Sequence, residues 1–393
     1  MSILSVKTSH HQERANWSGI FAMTLCAFVL VASEFLPVSL LTPIASDLRV
    51  TEGLAGLGIA ISGALAVLTS LTISDIAANV NRKHLLLGMT VLMAISGMII
   101  AQASSYLVYM SGRALIGVAI GGFWSLSAAT AIRLVPSHKV SHALAIFNGG
   151  NALATVIAAP LGSYLGSAIG WRGAFICIVP VAILAIIWQF FSLPDMPGLQ
   201  KNQPRGRVFR LLSRPVVLTG MLACGLFFMG QFTLFTYVRP FLETVIQVSP
   251  SGLSLILLTI GVSGFIGTLF VSLFLNARFY PTLIAIPFLM AIIAGMLMLA
   301  GHNLWLVAPL LGFWGMLATA APTGWWTWIA RTLPENAEAG GGLMVAVVQL
   351  SIALGSTAGG IVFDYLGWLS AFGLSGVLLL SAVVLTFITS RSD

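Results

Sequence analysis

Charge is what this chain has least of. Asp, Glu, Lys and Arg together make up 7% of its 393 residues, against about 25% in an ordinary soluble domain. A globule of this length could not cover its surface in water with so few charges, so a soluble protein is excluded. Cysteine is nearly absent as well. Cys26, Cys177 and Cys224 each fall inside an apolar run, at spacings that fit no metal site, and read as small packing residues. There is no GxxxxGK[ST] phosphate loop, no HExxH, no Cys/His cluster and no Ser-His-Asp array. ATP hydrolysis and enzyme catalysis are therefore disfavoured, and no cofactor or metal is expected.

Apolar length is what the chain has in quantity. It is 58% hydrophobic with a mean hydropathy of +1.01. Runs of about 20 residues recur along it, enough to cross ~30 Å of hydrocarbon at ~1.5 Å per residue. The fold class is an all-α membrane protein. Breaks at polar, Gly and Pro residues give spans near 17–42, 52–78, 84–103, 105–133, 141–168 and 171–193, then 214–238, 250–275, 281–300, 304–331, 341–364 and 367–389. The first run is too long for the apolar region of a signal peptide. The longest polar stretch, LPDMPGLQKNQPRGRVFRLLSRP at 193–215, reads as a linker. The expected organisation is a cytoplasmic tail at 1–16, a six-helix bundle at 17–193, a cytoplasmic linker at 194–213 and a second bundle at 214–393.

The net charge of +7 suggests nucleic acid only if the cations share a soluble surface, and here they are spread over short loops. With the N-terminus inside, fourteen Lys and Arg fall on the inner face, while Arg49, Arg172 and Arg239 fall on the outer one. That asymmetry places both ends in the cytoplasm. It also accounts for the basic linker, for which binding to anionic lipid is the lesser alternative. Arg113, in YMSGRALIGVAIGG, belongs to neither face and lies inside the fourth span.

The two halves repeat. Arg133-Leu134-Val135-Pro136 and Arg331-Thr332-Leu333-Pro334 are 198 residues apart. Gly170-Trp171 and Gly367-Trp368, and Gly162 and Gly359, are 197 apart, and Arg82 and Arg278 are 196 apart. A near-constant offset implies two pseudo-symmetric six-helix bundles with a substrate site between them near the midplane.

These features resemble the major facilitator superfamily and, within it, the twelve-helix drug/proton antiporters. YMSGRALIGVAIGG is similar to that family's helix 4 motif, with Arg113 as its arginine. Gly150 followed by AAPLGSYLG (158–166) is similar to the helix 5 antiporter motif, with Ala159 in place of the usual Gly. EFLPVSLLTP (34–43) is similar to the helix 1 motif. The loop motif after helix 2 is degraded: Ser74 and Ala78 precede Arg82-Lys83, and Asp75 is out of register, which leaves that loop's salt-bridge latch in doubt. The strings GGFWSLSA (121–128), GQFTLFTYVRP (230–240) and TGWWTWIARTL (323–333) further resemble the bacterial purine ribonucleoside exporters. The resemblance implies proton-coupled export of inosine-type nucleosides across a bacterial inner membrane, with sugar or multidrug efflux as the alternative.

The residues support a compatible reading of their own. Glu34 and Arg113 are the two ionisable groups deep in the first bundle, and a charge there costs about 2.5–3.5 kcal/mol. Both are expected to face the central cavity, close enough to pair or to share water, with Glu34 as proton carrier and Arg113 as the group that tunes it. A structural pair that fixes helix packing is the competing account. Arg239, Glu243 and Asp364 stand at helix ends, where interfacial solvation explains them and a gate is the alternative. One titratable site suggests one proton per cycle. Candidate substrate contacts are Trp124, Asn148, Asn151, Gln231, Tyr237, Trp325 and Gln349, with Trp326 beside Trp325. Amides can pair with a purine edge or ribose hydroxyls, and rings can stack on a base. The partners expected are a neutral nucleoside, protons and the bilayer, with no nucleic acid, and the chain is expected to be a monomer.

Overall fold

The structure, a computed structural model, describes residues 15–76, 79–136, 139–197, 211–301, 303–333 and 337–392. The degraded loop motif lies largely outside the described residues, since residues 77 and 78 and the side chains of 74–76 are not among them. The same holds for residues 198–210 of the linker. Among the described residues every regular element is a helix. In order they are α1 (Trp17–Ser39), α2 (Leu41–Leu48), α3 (Glu52–Ile76), α4 (Arg82–Ala101), α5 (Tyr106–Arg133) and α6 (Val140–Ser192). The second half has α7 (Pro215–Phe235), α8 (Val238–Thr244), α9 (Pro250–Ala277), α10 (Phe279–Ala300), α11 (Leu304–Thr332), α12 (Ala337–Leu366) and α13 (Trp368–Ser392).

Among the described residues eleven helical segments are long and apolar enough to span a membrane, and one of them, Gly149–Ser192, is 44 residues long. At ~1.5 Å per residue it would be about twice the thickness of the hydrocarbon. It is two spans joined at Gly170, whose φ of 78° and ψ of 163° break the helix. The described residues therefore form twelve spans. Helix starts carry their own caps: Asn16, Asn81, Ser249 and Asn303 each accept a backbone N–H from the first turn of the helix that follows.

The repeat is visible in backbone and packing alike. Gly367, at 80°, takes the same left-handed φ as Gly170, 197 residues later. Arg49, the C-cap of α2, and Gln247, three residues past the end of α8, take φ of 54° and 59° and are 198 residues apart. A Cβ at Gly117 would run into the backbone of Ser62, and one at Gly315 into that of Ile260, so α3–α5 and α9–α11 approach at equivalent points. Gly162 rests on Leu36 and Gly359 on Thr233, again 197 apart. Small residues let helices approach where no apolar driving force separates protein from lipid. These contacts define two six-helix bundles, one before the linker and one after it. They meet where α3 packs on α12 and α6 on α9. Gly170→Ala should cost about 1–2 kcal/mol, because an L-residue is strained at that φ. A fall in unfolding temperature of the detergent-purified protein, matched by Gly367→Ala, checks this.

The face of the bundle that bears Trp17 and Ser392 is called the terminal face below. The opposite face, with α2 and α8, is the far face. Asn16 N–H donates to the Leu134 carbonyl at 2.8 Å at the terminal face. At the far face Arg172 pairs with Asp47 at 2.7 Å and donates to the Ala103 carbonyl.

Candidate functional site

The site begins with a proline. Pro37 lies inside α1. Having no N–H, it cannot donate to the carbonyl of Ser33 four residues back. Arg113, on α5, supplies the missing donor: its Nη1 bonds the Ser33 carbonyl at 3.1 Å. Its Nε bonds the Gly58 carbonyl at 3.0 Å and its Nη2 the Ser62 hydroxyl at 3.0 Å. The guanidinium is wholly buried where α1, α3 and α5 meet. Three charge-assisted bonds of about 1.5–3 kcal/mol each suffice to hold such a cation out of water.

Glu34, next to Ser33, turns the other way. Its Oε1 accepts from Nε2 of Gln349 on α12, at 3.4 Å, across the junction of the two halves. Neither of the ion pairs formed among the described residues involves Glu34 or Arg113. Of the expected arrangements, a direct ion pair between Glu34 and Arg113 is not the one formed. Arg113 is committed to the orphaned Ser33 carbonyl, the Gly58 carbonyl and the Ser62 hydroxyl, and of the two it is Glu34 that bonds across the junction. The two still feel each other's charge through one residue of backbone.

Beside Glu34, Phe35 stacks on Phe232 of α7, with ring centroids 6.0 Å apart and planes at 26°. These residues are 197 apart, so the stack joins equivalent positions of the two halves. Gln231 is then the counterpart of Glu34, Leu311 that of Arg113 and Ile260 that of Ser62. At these positions the second half carries no charge. Gln231 and Gln349 each leave a buried Oε1 with no hydrogen-bond partner.

The remaining candidates scatter. Asn151 is half-buried in α6, and the side chain of Asn148 lies outside the described residues. Trp124 packs edge-on to Phe123 and Phe147 within the first half. Trp325 is buried against Trp328 in the core of the second half, while Trp326 is exposed. Tyr237 is fully buried, donates to the Ser356 carbonyl at 2.8 Å and stacks on Phe363. It also rests on Gly56 of the first half, so it helps close the far face. An apolar cleft between α1 and both limbs of α6, lined by Phe28, Ala32, Ile157, Leu161 and Cys177, has no polar side chain to recognise a solute.

Sequence reasoning missed one feature of the far face. Asp364 of α12 accepts from the Thr51 hydroxyl at 2.5 Å and from Gly53 N–H at 3.0 Å. It thereby caps the start of α3 from the other half while remaining exposed. Arg239, by contrast, is buried and paired with Glu243 at 2.7 Å.

Comparison with known proteins decides the family. The Major Facilitator Superfamily model matches residues 23–356. The chain belongs to the major facilitator superfamily. It is a transporter of that family, spanning the membrane many times. It is 40% identical over 367 residues, 93% of this chain and 92% of the relative, to the purine ribonucleoside efflux pump NepI of Salmonella enteritidis. It is 60% identical over 392 residues, 99% of this chain and 98% of the relative, to the transcription regulatory protein OpdE of Pseudomonas aeruginosa. Among solved structures it is similar to an inward-facing, unoccupied bacterial homologue of the human lysosomal transporter Spinster. That likeness has a TM-score of 0.78 and 16% identity, covers 96% of this chain and 97% of the other, and speaks to the fold alone.

Proposed function

We propose that this major facilitator transporter is a proton-coupled antiporter that exports purine ribonucleosides. It would act by alternating access across a bacterial inner membrane, with both termini cytoplasmic. The observation that carries the coupling is Glu34, a buried carboxylate held where the two halves meet, with Gln231 and Gln349 as neutral surroundings. Such a group can take a proton from one side and give it to the other as access alternates, and a single one gives one proton per cycle. Arg113 fixes the backbone beside it and lends positive charge. The likeness to NepI supports the substrate class. The unpaired amide oxygens of Gln231 and Gln349 suit the N–H and hydroxyl donors of a neutral nucleoside, for which Asn148, Asn151 and Trp124 are further candidate contacts. On this reading the terminal face is cytoplasmic, as the asymmetry of Lys and Arg implies, and the closed far face is the outer one.

The name of OpdE favours a second reading, an effect on transcription. Export can produce one without DNA contact, by lowering the cytoplasmic level of a small effector, and any such effect should then vanish with Glu34→Gln.

Inverted membrane vesicles with an acid interior test the proposal directly. Inosine and guanosine should accumulate, while arabinose and a lipophilic cation should not. Accumulation of arabinose or the cation without nucleoside would move the function to sugar or multidrug efflux.

The far-face cap gives a second test. Removing the Asp364 charge weakens two bonds at an exposed site, worth about 1 kcal/mol together after solvent screening, or a roughly fivefold shift in the conformational equilibrium. Spin labels at exposed Ser104 and Gln247, in opposite halves, should show a longer-distance population that grows about fivefold in Asp364→Asn. An unchanged distance distribution would show that the cap does not hold the face shut.

A further inference from the structure

Gln349 stands in an unusual position. It belongs to α12, in the second half, and its amide N–H reaches Glu34 across the junction at 3.4 Å. Its side chain is 7% exposed, and its Oε1 is buried without a partner. Its backbone is fixed, because α3 passes so close that a Cβ at Gly63 would strike the Gln349 carbonyl. A rigid backbone therefore carries a short-range, two-sided group to the buried carboxylate of Glu34.

An amide is the neutral side chain that serves both forms of a carboxyl group. Toward a carboxylate, which only accepts, it offers N–H. Toward a carboxylic acid, which gains an O–H donor, it offers C=O. The present contact is the first kind, and the unpaired Oε1 is what the second kind requires. The other charged and titratable groups on elements packed against α1 are engaged elsewhere or lie at the faces. Arg113 on α5 is the one that acts on Glu34, and Tyr109 stands one turn from Arg113. Asp47 on α2 pairs with Arg172 on α6, and Arg239 on α8 pairs with Glu243. Glu52 opens α3 at the far face, and Arg82, Lys83 and His84 open α4 at the terminal face.

We infer that Gln349 is a positioning residue through which the protonation state of Glu34 is transmitted to the second half. One proton added to the Glu34 carboxylate creates one O–H. The amide turns over and accepts it on Oε1, and the N–H···O bond is replaced by an O–H···O bond with no other partner exchanged. Loss of the proton reverses the turn. This inference rests on the reading of Glu34 as the proton carrier and does not depend on which solute is exported.

The test follows the carboxyl infrared band of Glu34 against pH in the full protein, purified and reconstituted in phospholipid vesicles without substrate. Its loss in Glu34→Gln assigns the band. Gln349→Lys places a cation beside Glu34 and should lower its proton affinity tenfold or more, moving the midpoint about one pH unit toward acid. Gln349→Glu is nearly isosteric and should give a pair whose two midpoints split, the upper one about a unit or more toward alkali. It can be read even if the lysine variant does not fold. Opposite displacements support the inference, because they require residue 349 to face the Glu34 carboxyl; a side chain turned away from it would move neither. Midpoints within a few tenths of the unsubstituted protein in Gln349→Glu would overturn it while leaving the proton reading intact. A Glu34 band that never titrates in the unsubstituted protein would overturn both. Opposite displacements in a protein that exports no nucleoside would leave this inference standing and remove only the substrate assignment.

Discussion

Reconstituted Glu34→Gln should lose accumulation of nucleoside driven by a pH gradient, by a hundredfold or more, while remaining folded and still exchanging labelled for unlabelled nucleoside down its gradient. Glutamine keeps the shape and can still bond Gln349, so the contact between the halves at 34 and 349 survives. What it cannot do is change charge. Stability should not fall. Arg113 has its three bonds at Ser33, Gly58 and Ser62, none of them to Glu34, so the substitution orphans no buried cation. That separates this protein from one with a buried ion pair, where removal of one partner costs about 3–5 kcal/mol. The measurement is paired: inosine uptake with and without an imposed gradient, and counterflow with none. Equal gradient response in Glu34→Gln and the unsubstituted protein would place the proton site elsewhere. Loss of counterflow along with gradient response would mean that the carboxylate serves substrate binding rather than coupling.

The fold was legible because membrane solvent enforces it. Once charge is scarce and apolar runs reach bilayer length, helices are the form in which a single segment satisfies its backbone. A constant offset then divides them into bundles, and the same offset that paired Gly170 with Gly367 in the sequence reappears as two left-handed residues in the structure. The site was legible in part. Glu34 and Arg113 stood out as intramembrane charges, and Gln349 as an amide at the right depth. Their partners did not stand out, for physical reasons. Two of the three acceptors of Arg113 are backbone carbonyls, which no residue type announces, although Pro37 four positions after Ser33 is a signal that one carbonyl is free. Asp364 meets Thr51 and Gly53 more than 300 residues away, and an acid at a helix end has an equally good solvated reading. Trp325 and Tyr237 carry the polar tips that substrate sites use, but packing density within a bundle decides whether such rings face a cavity or a core, and it is set by neighbours far apart in sequence. The counterparts Gln231, Leu311 and Ile260 could have been found by applying the offset to the charged residues as well as to the glycines.

Pro37 and Arg113 should be coupled energetically. In Arg113→Met the Ser33 carbonyl has no donor, since Pro37 offers none, and an unpaired carbonyl in an apolar interior costs about 1–3 kcal/mol. The Gly58 carbonyl is less affected, because its own helix still provides a bond four residues on. Removal of a buried cation offsets part of the loss, so the net destabilisation should be about 2 kcal/mol. In Pro37→Ala the backbone N–H of residue 37 returns and can bond the Ser33 carbonyl, which makes that bond from Arg113 redundant. The double variant should therefore be more stable than Arg113→Met alone, with an interaction energy of about 1–2 kcal/mol in the cycle. Thermal unfolding of the four proteins in one detergent gives the cycle. Exchange should not recover with stability. The positive charge next to Glu34 remains absent in the double variant, so gradient-driven uptake should stay at least tenfold below that of the unsubstituted protein. Additive stabilities would mean that Arg113 is not the donor that replaces the one lost at Pro37. Recovery of transport together with stability would reduce Arg113 to a backbone patch with no part in coupling.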